Sequence, residues 1–326
     1  IWRECKIVGA FVLVLGGILN MGLFLKVGAV YVQSVFNIED SELFLSMIMI
    51  ILLLMVLVYT TLGGMVSVII TDFIQFFILS IGMILCVFFS IYHLGWTNLF
   101  EQLELLSLNK KTIYNPMQSK GFTYISWQMI LGFVSAVIWP TAITRALSLK
   151  SSLIVKRQYM WSSISFMIRF LIPCFVGICA YVYFNGHIPN SSVESLSMMP
   201  RYLIEILPTG VLGIVVAAMI AAFMSTHDSY LLCWSTIITN DIINPIKKNK
   251  LSSIEKIRFT RIIIIILGLY ILYWGIFYEG SDSIWDYLGI TGAIYFTGAF
   301  SVILFGLYWE KASSAGAMAS LVGGLG

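Results

Sequence analysis

The 326-residue chain is 59% hydrophobic and 11% charged, with a mean hydropathy of +0.94. That balance excludes an ordinary soluble domain and points to an all-α polytopic membrane protein. The formal net charge of +3 calls for no nucleic-acid partner, because basic loops facing anionic lipid account for it.

Apolar runs near twenty residues predict spans at about 7–36, 44–62, 66–95, 122–144, 159–184, 209–236, 258–278 and 284–308, and a ninth begins near Ser314. Residues 96–120 mix charge and apolar content and read as a loop with a surface helix, and Ser192 to Leu207 as a short helix across the outer face. The first run is too long for a leader's hydrophobic region and has no small-residue cleavage site. The pattern starts and stops within a hydropathy repeat, so the expectation is a fragment forming one transmembrane domain over 1–326.

Loop charges set the expected orientation. With Arg3 and Lys6 in the cytoplasm ahead of Ile7, cytoplasmic segments collect Arg145, Lys150, Lys156, Arg157, Lys247, Lys248, Lys250, Lys256, Arg258, Arg261 and Lys311. Outer loops hold only Lys110, Lys111, Lys120 and Arg201 as bases, with the acids Glu39, Asp40, Glu42, Glu279, Asp282 and Asp286. The cysteines at 5, 86, 174, 179 and 233 fall in spans or on the inner side, so no disulfide framework is implied. His93, His187 and His227 make no zinc pattern, and no phosphate loop or nucleophile elbow is present, so neither ATP-driven transport nor hydrolase chemistry has support.

Two stretches put polar groups inside spans. In Tyr59 to Gln75, Gly63-Gly64 interrupts a helical run and predicts a tight turn, and Asp72 and Gln75 follow on one face of the next span. A carboxylate there binds an ion, faces a cavity, or forms a structural ion pair. In Val215 to Asp241, Ser225, Asp228 and Ser229 form a stripe at helical spacing, with Ala222 leaving room one turn earlier. Oxygen ligands on one face suit a hard cation, and inserting the aspartate costs at least ~2.5 kcal/mol. The plainer reading of the serines is hydroxyls bonded to carbonyls of their own helix.

Tyr59-Thr60, Gly63-Gly64 and Thr71-Asp72 with Gln75 resemble the sodium–solute symporter family, whose members include sodium-coupled sugar, proline, pantothenate and sialic acid carriers. Thr144-Arg145-Ala146-Leu147-Ser148-Leu149-Lys150-Ser151 is similar to its Gln-Arg-x-Leu-Ala-Ala-Lys-Ser motif, with Thr144 in place of Gln. Leu207 to Gly213, running on through Ala221-Ala222 to Ser225-Thr226, resembles its ion-binding helix, and Gly306 to Trp309 also fits.

The resemblance implies a leucine-transporter-like inverted-repeat bundle with a midplane site. It aligns the eight full spans with core helices three to ten, leaving the bundle incomplete. It implies a sodium site at Ala222, Ser225 and Thr226, and a possible second at Asp72, Ser225, Asp228 and Ser229, where Asp228 departs from the usual hydroxyl. Solute-contact positions fall at Gly132, Ser135 and Phe166, so the sugar pattern is missing, and Trp285 falls at an outer aromatic position. Arg169, one turn beyond Phe166, either grips a carboxylate or pairs with a neighbouring acid, and Lys26 poses the same choice. Trp139-Pro140 breaks a helix near the cavity, and Gly28, Gly177, Gly213, Gly292 and Gly298 are expected to let helices approach closely.

The expected function is sodium-coupled import of a small polar organic solute by alternating access in the plasma membrane. Na⁺ is the co-transported ion, and no organic cofactor, enzymatic activity or obligate protein partner is foreseen. A proton-coupled carrier of the same fold, or a sensor module of a longer signalling protein, are the alternatives.

Overall fold

The computed structural model describes residues 2–38, 41–108, 120–187, 189, 191–247, 250–278 and 284–324. Glu39, Asp40, Lys110, Lys111, Lys248, Glu279 and Asp282, whose charges enter the orientation reading, lie outside the described residues. Eleven α-helices follow in order among the described residues: α1 (Trp2–Val35), α2 (Glu42–Leu94), α3 (Trp96–Leu108), α4 (Gly121–Ile138), α5 (Pro140–Leu147), α6 (Ser152–Tyr183), α7 (Ser192–Ile206), α8 (Thr209–Ile237), α9 (Ser253–Phe277), α10 (Ile284–Tyr308) and α11 (Ser314–Gly323). Beyond α8 the helix relaxes into a π turn, Ile238–Ile243, and one last turn, Asn244–Ile246. Seven helical runs are long and apolar enough to cross a membrane, with α4–α5 counted as one run and α8 with its extension as another.

At 53 residues α2 is far too long for a single crossing. It is interrupted at Gly64, whose φ of 58° and ψ of −154° belong to a region that residues with a Cβ avoid. Gly63 contributes space, since a Cβ there would lie 2.2 Å from the Ser67 Cβ. The chain reverses at this point, as contacts with its neighbours show. On α1, Gly17 meets Trp234, Met21 meets His227 and Gly28 meets Phe223, so α1 and α8 are antiparallel. Gly22 meets Trp274 and Lys26 reaches Tyr278, so α9 runs with α1. The first arm of α2 opposes α9, with Leu57 at Gly268 and Met49 at Gly275, and thus runs with α8. The second arm opposes α8: Asp72 joins Ser229 through Arg145, and Gly82 abuts Val215 and Ala218.

Helices in lipid gain little from apolar burial against one another, so close packing and interhelical hydrogen bonds hold the bundle. The main core lies between α1, the first arm of α2, α8 and α9, with Met21, Leu25, Met49, Val56, Leu231, Trp234 and Ile271 sealed inside. A second cluster joins the far end of α2 to α3, α6, α7 and the start of α8, and a third joins α4, α10 and α11. Glycines on α1 are notches for aromatic rings. A Cβ at Gly17 would stand 2.2 Å from the Trp234 ring, one at Gly22 2.4 Å from Trp274, and one at Gly28 2.6 Å from Phe223.

The expected glycine roles divide. Gly28 and Gly298 are close-approach positions, Gly298 against the backbone of Ser320 and Leu321. Gly292 is buried, with Phe296 of its own helix nearest to it, whereas Gly177 and Gly213 face open space, which corrects the packing role expected of these two. Trp139 has extended backbone (φ −65°, ψ 117°) and Pro140 opens α5, so the predicted 122–144 span is two helices meeting at the proline.

Candidate functional site

The middle of α8 gathers oxygen. The carbonyl of Ala222 accepts from Ser225 Oγ at 3.1 Å and from Thr226 Oγ1 at 2.8 Å. Three oxygens thus converge on one side of the helix, all partly exposed. This is the self-satisfied arrangement that serine and threonine adopt in membrane helices. It is also a preformed oxygen cluster, since each hydroxyl retains lone pairs and can rotate its proton away from an arriving cation.

One turn further, the polar groups stop being local. Asp228 is fully buried at 0% exposure, and its carboxylate accepts from Tyr59 Oη at 2.6 Å and from Ser229 Oγ at 3.1 Å. Tyr59 also reaches the Met224 carbonyl, at 3.2 Å. Arg145, from α5, donates through Nη2 to Asp72 Oδ2 at 2.5 Å and to Ser229 Oγ at 2.5 Å. The cluster therefore ties both arms of α2, α5 and α8 together. Asp72 Oδ1 and Gln75 Oε1 are buried without a hydrogen-bond partner, so the cluster keeps unspent acceptor capacity. Of the four residues expected at a second ion site, Asp72, Asp228 and Ser229 meet in one network, whereas Ser225 turns back to its own helix. The Arg145 side chain is 42% exposed and is committed to Asp72, a partner that the charge reading does not identify.

The solute candidates are scattered. Gly132 faces open space and its carbonyl accepts from Ser135 Oγ at 2.9 Å. Phe166 is exposed and stacks on Phe170, whose ring also lies 5.2 Å from Trp285. Arg169 forms no ion pair among the described residues, although it lies within electrostatic range of Asp72. It lines a mainly apolar cavity of about 280 Å³ with Phe76, Ser80, Trp161 and Ser165. Trp139, one turn beyond Ser135, sits in an aromatic cluster with Tyr230, Trp234 and Phe296 at centroid distances of 5.8, 6.4 and 5.6 Å. Lys26 donates to the Tyr278 carbonyl at 2.6 Å, near the end of α9, which accounts for its depth without a solute. His227 is buried, with ring nitrogens against the carbonyls of Phe223 and Met21.

Sequence reasoning missed two polar features of this region. Tyr59 supplies the hydroxyl that holds Asp228, and the only hint was its place in the motif before Gly63-Gly64. Buried Asn20 and Thr291 bond across α1 and α10, beside Tyr287, whose hydroxyl accepts from Trp274 Nε1 at 3.0 Å and donates to the Leu19 carbonyl at 2.9 Å.

A sodium/pantothenate symporter of Haemophilus influenzae is 29% identical over 271 residues, covering 82% of this chain and 54% of the relative. Sodium/proline symporter 2 of Staphylococcus saprophyticus is 27% identical over 281 residues, covering 82% of this chain and 52% of the relative. The chain spans about half the length of these curated relatives. A solved structure of a Na⁺-coupled sialic acid symporter, in a substrate-bound outward-open state, superposes with a TM-score of 0.73 at 18% identity, covering 99% of this chain and 74% of that one. The fold is therefore the leucine-transporter-like helix bundle of a multi-pass membrane protein. The model of the sodium:solute symporter family matches residues 4–324, and the chain belongs to that family.

Proposed function

We propose that this chain is the transport core of a symporter that couples Na⁺ entry to import of a small polar organic solute. The convergence of the Ala222 carbonyl with the Ser225 and Thr226 hydroxyls on α8 carries this reading. Family membership and relatives named for sodium symport support it. In this scheme 1–326 acts as one transmembrane domain in the plasma membrane, with the segment before Ile7 in the cytoplasm.

Na⁺ binds at Ala222, Ser225 and Thr226, the two hydroxyls turning their lone pairs from the helix to the ion. A second Na⁺ is taken by Asp72, Asp228 and Ser229. The solute lies nearer α4, α6 and α10, with Gly132, Ser135, Trp139, Phe166, Arg169 and Trp285 as its candidate contacts. Because ion and solute sites are built on helices that pack together, occupancy of one changes the affinity of the other, typically by about 1–3 kcal/mol in either direction. Binding of both favours a rearrangement that exposes them to the opposite side.

The test is uptake of a panel of labelled solutes by the native protein in proteoliposomes, with Na⁺ or choline outside. One solute is expected to enter only with Na⁺. Equal uptake in choline, driven by a pH gradient, overturns the reading.

A further inference from the structure

We propose that Arg145 is a tethered cation that occupies the second ion pocket in alternation with Na⁺, so that loading the pocket releases α5. This rests on the symporter reading above and specifies how its second site is regulated.

A single nitrogen, Arg145 Nη2, lies 2.5 Å from Asp72 Oδ2 and 2.5 Å from Ser229 Oγ. Those oxygens come from two helices and converge on one cationic nitrogen, as oxygen ligands from separate elements converge on a hard cation. A Na⁺ held by the same two oxygens would stand where Nη2 stands. Ion and guanidinium therefore exclude each other at this point.

The rest of the cluster is built for a cation in either form. Asp228 adds a second carboxylate beyond Ser229, held in place by Tyr59. Asp72 Oδ1 and Gln75 Oε1 remain buried acceptors without donors, which a coordinated ion can use and a guanidinium engaged through one nitrogen does not. Arg145 also sits on a part suited to leaving. Helix α5 is eight residues long, is separated from α4 by the break at Trp139, and presents a side chain 42% exposed. A pivot at Trp139–Pro140 withdraws the guanidinium without unwinding either arm of α2 or α8.

The experiment measures ²²Na⁺ binding to the purified full-length protein in lipid nanodiscs. Arg145→Ala is expected to lower the half-saturating Na⁺ concentration of the weaker site about tenfold. Millimolar guanidinium ion should reverse the gain in Arg145→Ala and leave the wild type unchanged. Arg145→Gln, of similar length and uncharged, gives the same reading should the alanine variant not fold. In the wild type, phenylglyoxal labelling of Arg145, read by mass spectrometry, should rise with Na⁺. A variant curve that superimposes on the wild type, or labelling that Na⁺ leaves unchanged or suppresses, overturns the proposal. Wild-type protein that binds no Na⁺ overturns the symporter reading itself, which separates the two failures.

Discussion

Two oxygen-rich regions lie a turn apart on α8 and are held in opposite ways. The hydroxyls of Ser225 and Thr226 bond within four residues of the same helix, whereas Asp228 and Ser229 belong to a network reaching both arms of α2 and α5. A locally closed group can exchange its carbonyl for an ion while the helices stay in place. A cross-linked group cannot change partners without changing which elements are joined. The first region thus suits an ion site whose protein ligands come from one helix, and the second suits sensing whether α5 is docked.

The largest expected effect strikes the local region. Replacing Ser225 and Thr226 together with Ala removes two oxygens and leaves the Ala222 carbonyl in its helix. If each ligand is worth ~1.4 kcal/mol, half-maximal uptake should require roughly 100-fold more Na⁺. The melting temperature should move little, because both bonds lie within one turn of α8. An unchanged Na⁺ requirement with normal expression would remove this stretch from the ion path.

Asp228→Ser probes the cross-linked region. It restores a hydroxyl and takes away the carboxylate that accepts from both Tyr59 and Ser229. Charged hydrogen bonds are worth about 1.5–3 kcal/mol, so Na⁺ dependence should weaken by roughly 10- to 100-fold while transport persists. Na⁺ activation curves decide it, and a variant that still shows the wild-type ion dependence would make Asp228 a structural residue only.

The remaining test concerns Arg169, which borders both the apolar cavity and the field of Asp72. If it grips a solute carboxylate, Arg169→Met should lower solute affinity by at least tenfold, and Arg169→Lys should lower it less, since the lysine keeps the charge but loses the planar fork. If it serves only to balance Asp72, both variants should reduce folded yield and leave solute affinity in the purified protein unaltered. Isothermal titration with the transported solute separates these outcomes.

Much of the architecture is written in residue type. Gly63-Gly64 announces a reversal because no other pair tolerates both the positive φ and the contact with Ser67. Trp139-Pro140 announces a break because proline rejects a helical predecessor. The site was only half legible. Ser225, Asp228 and Ser229 declare themselves by spacing, but Arg145 sits among Lys150, Lys156 and Arg157 in the sequence, and nothing local says that its helix folds back onto Asp72. The glycines fail for a related reason. Whether one is a notch depends on the ring facing it, as at Gly17 and Gly22, and not on its neighbours in the chain, as at Gly177 and Gly213. The π turn after α8 has no composition cue at all.

The Gly64 reversal carries one more consequence. A hairpin closed by a single residue has no slack: its limbs cannot slide past each other, and any tilt of one is handed to the other through one pair of torsions. Tyr59 and Asp72, one on each limb, are therefore the tines of one fork, which reach Asp228 and Arg145. The grip on those two residues, together with the bend, therefore decides how this part of the molecule can move.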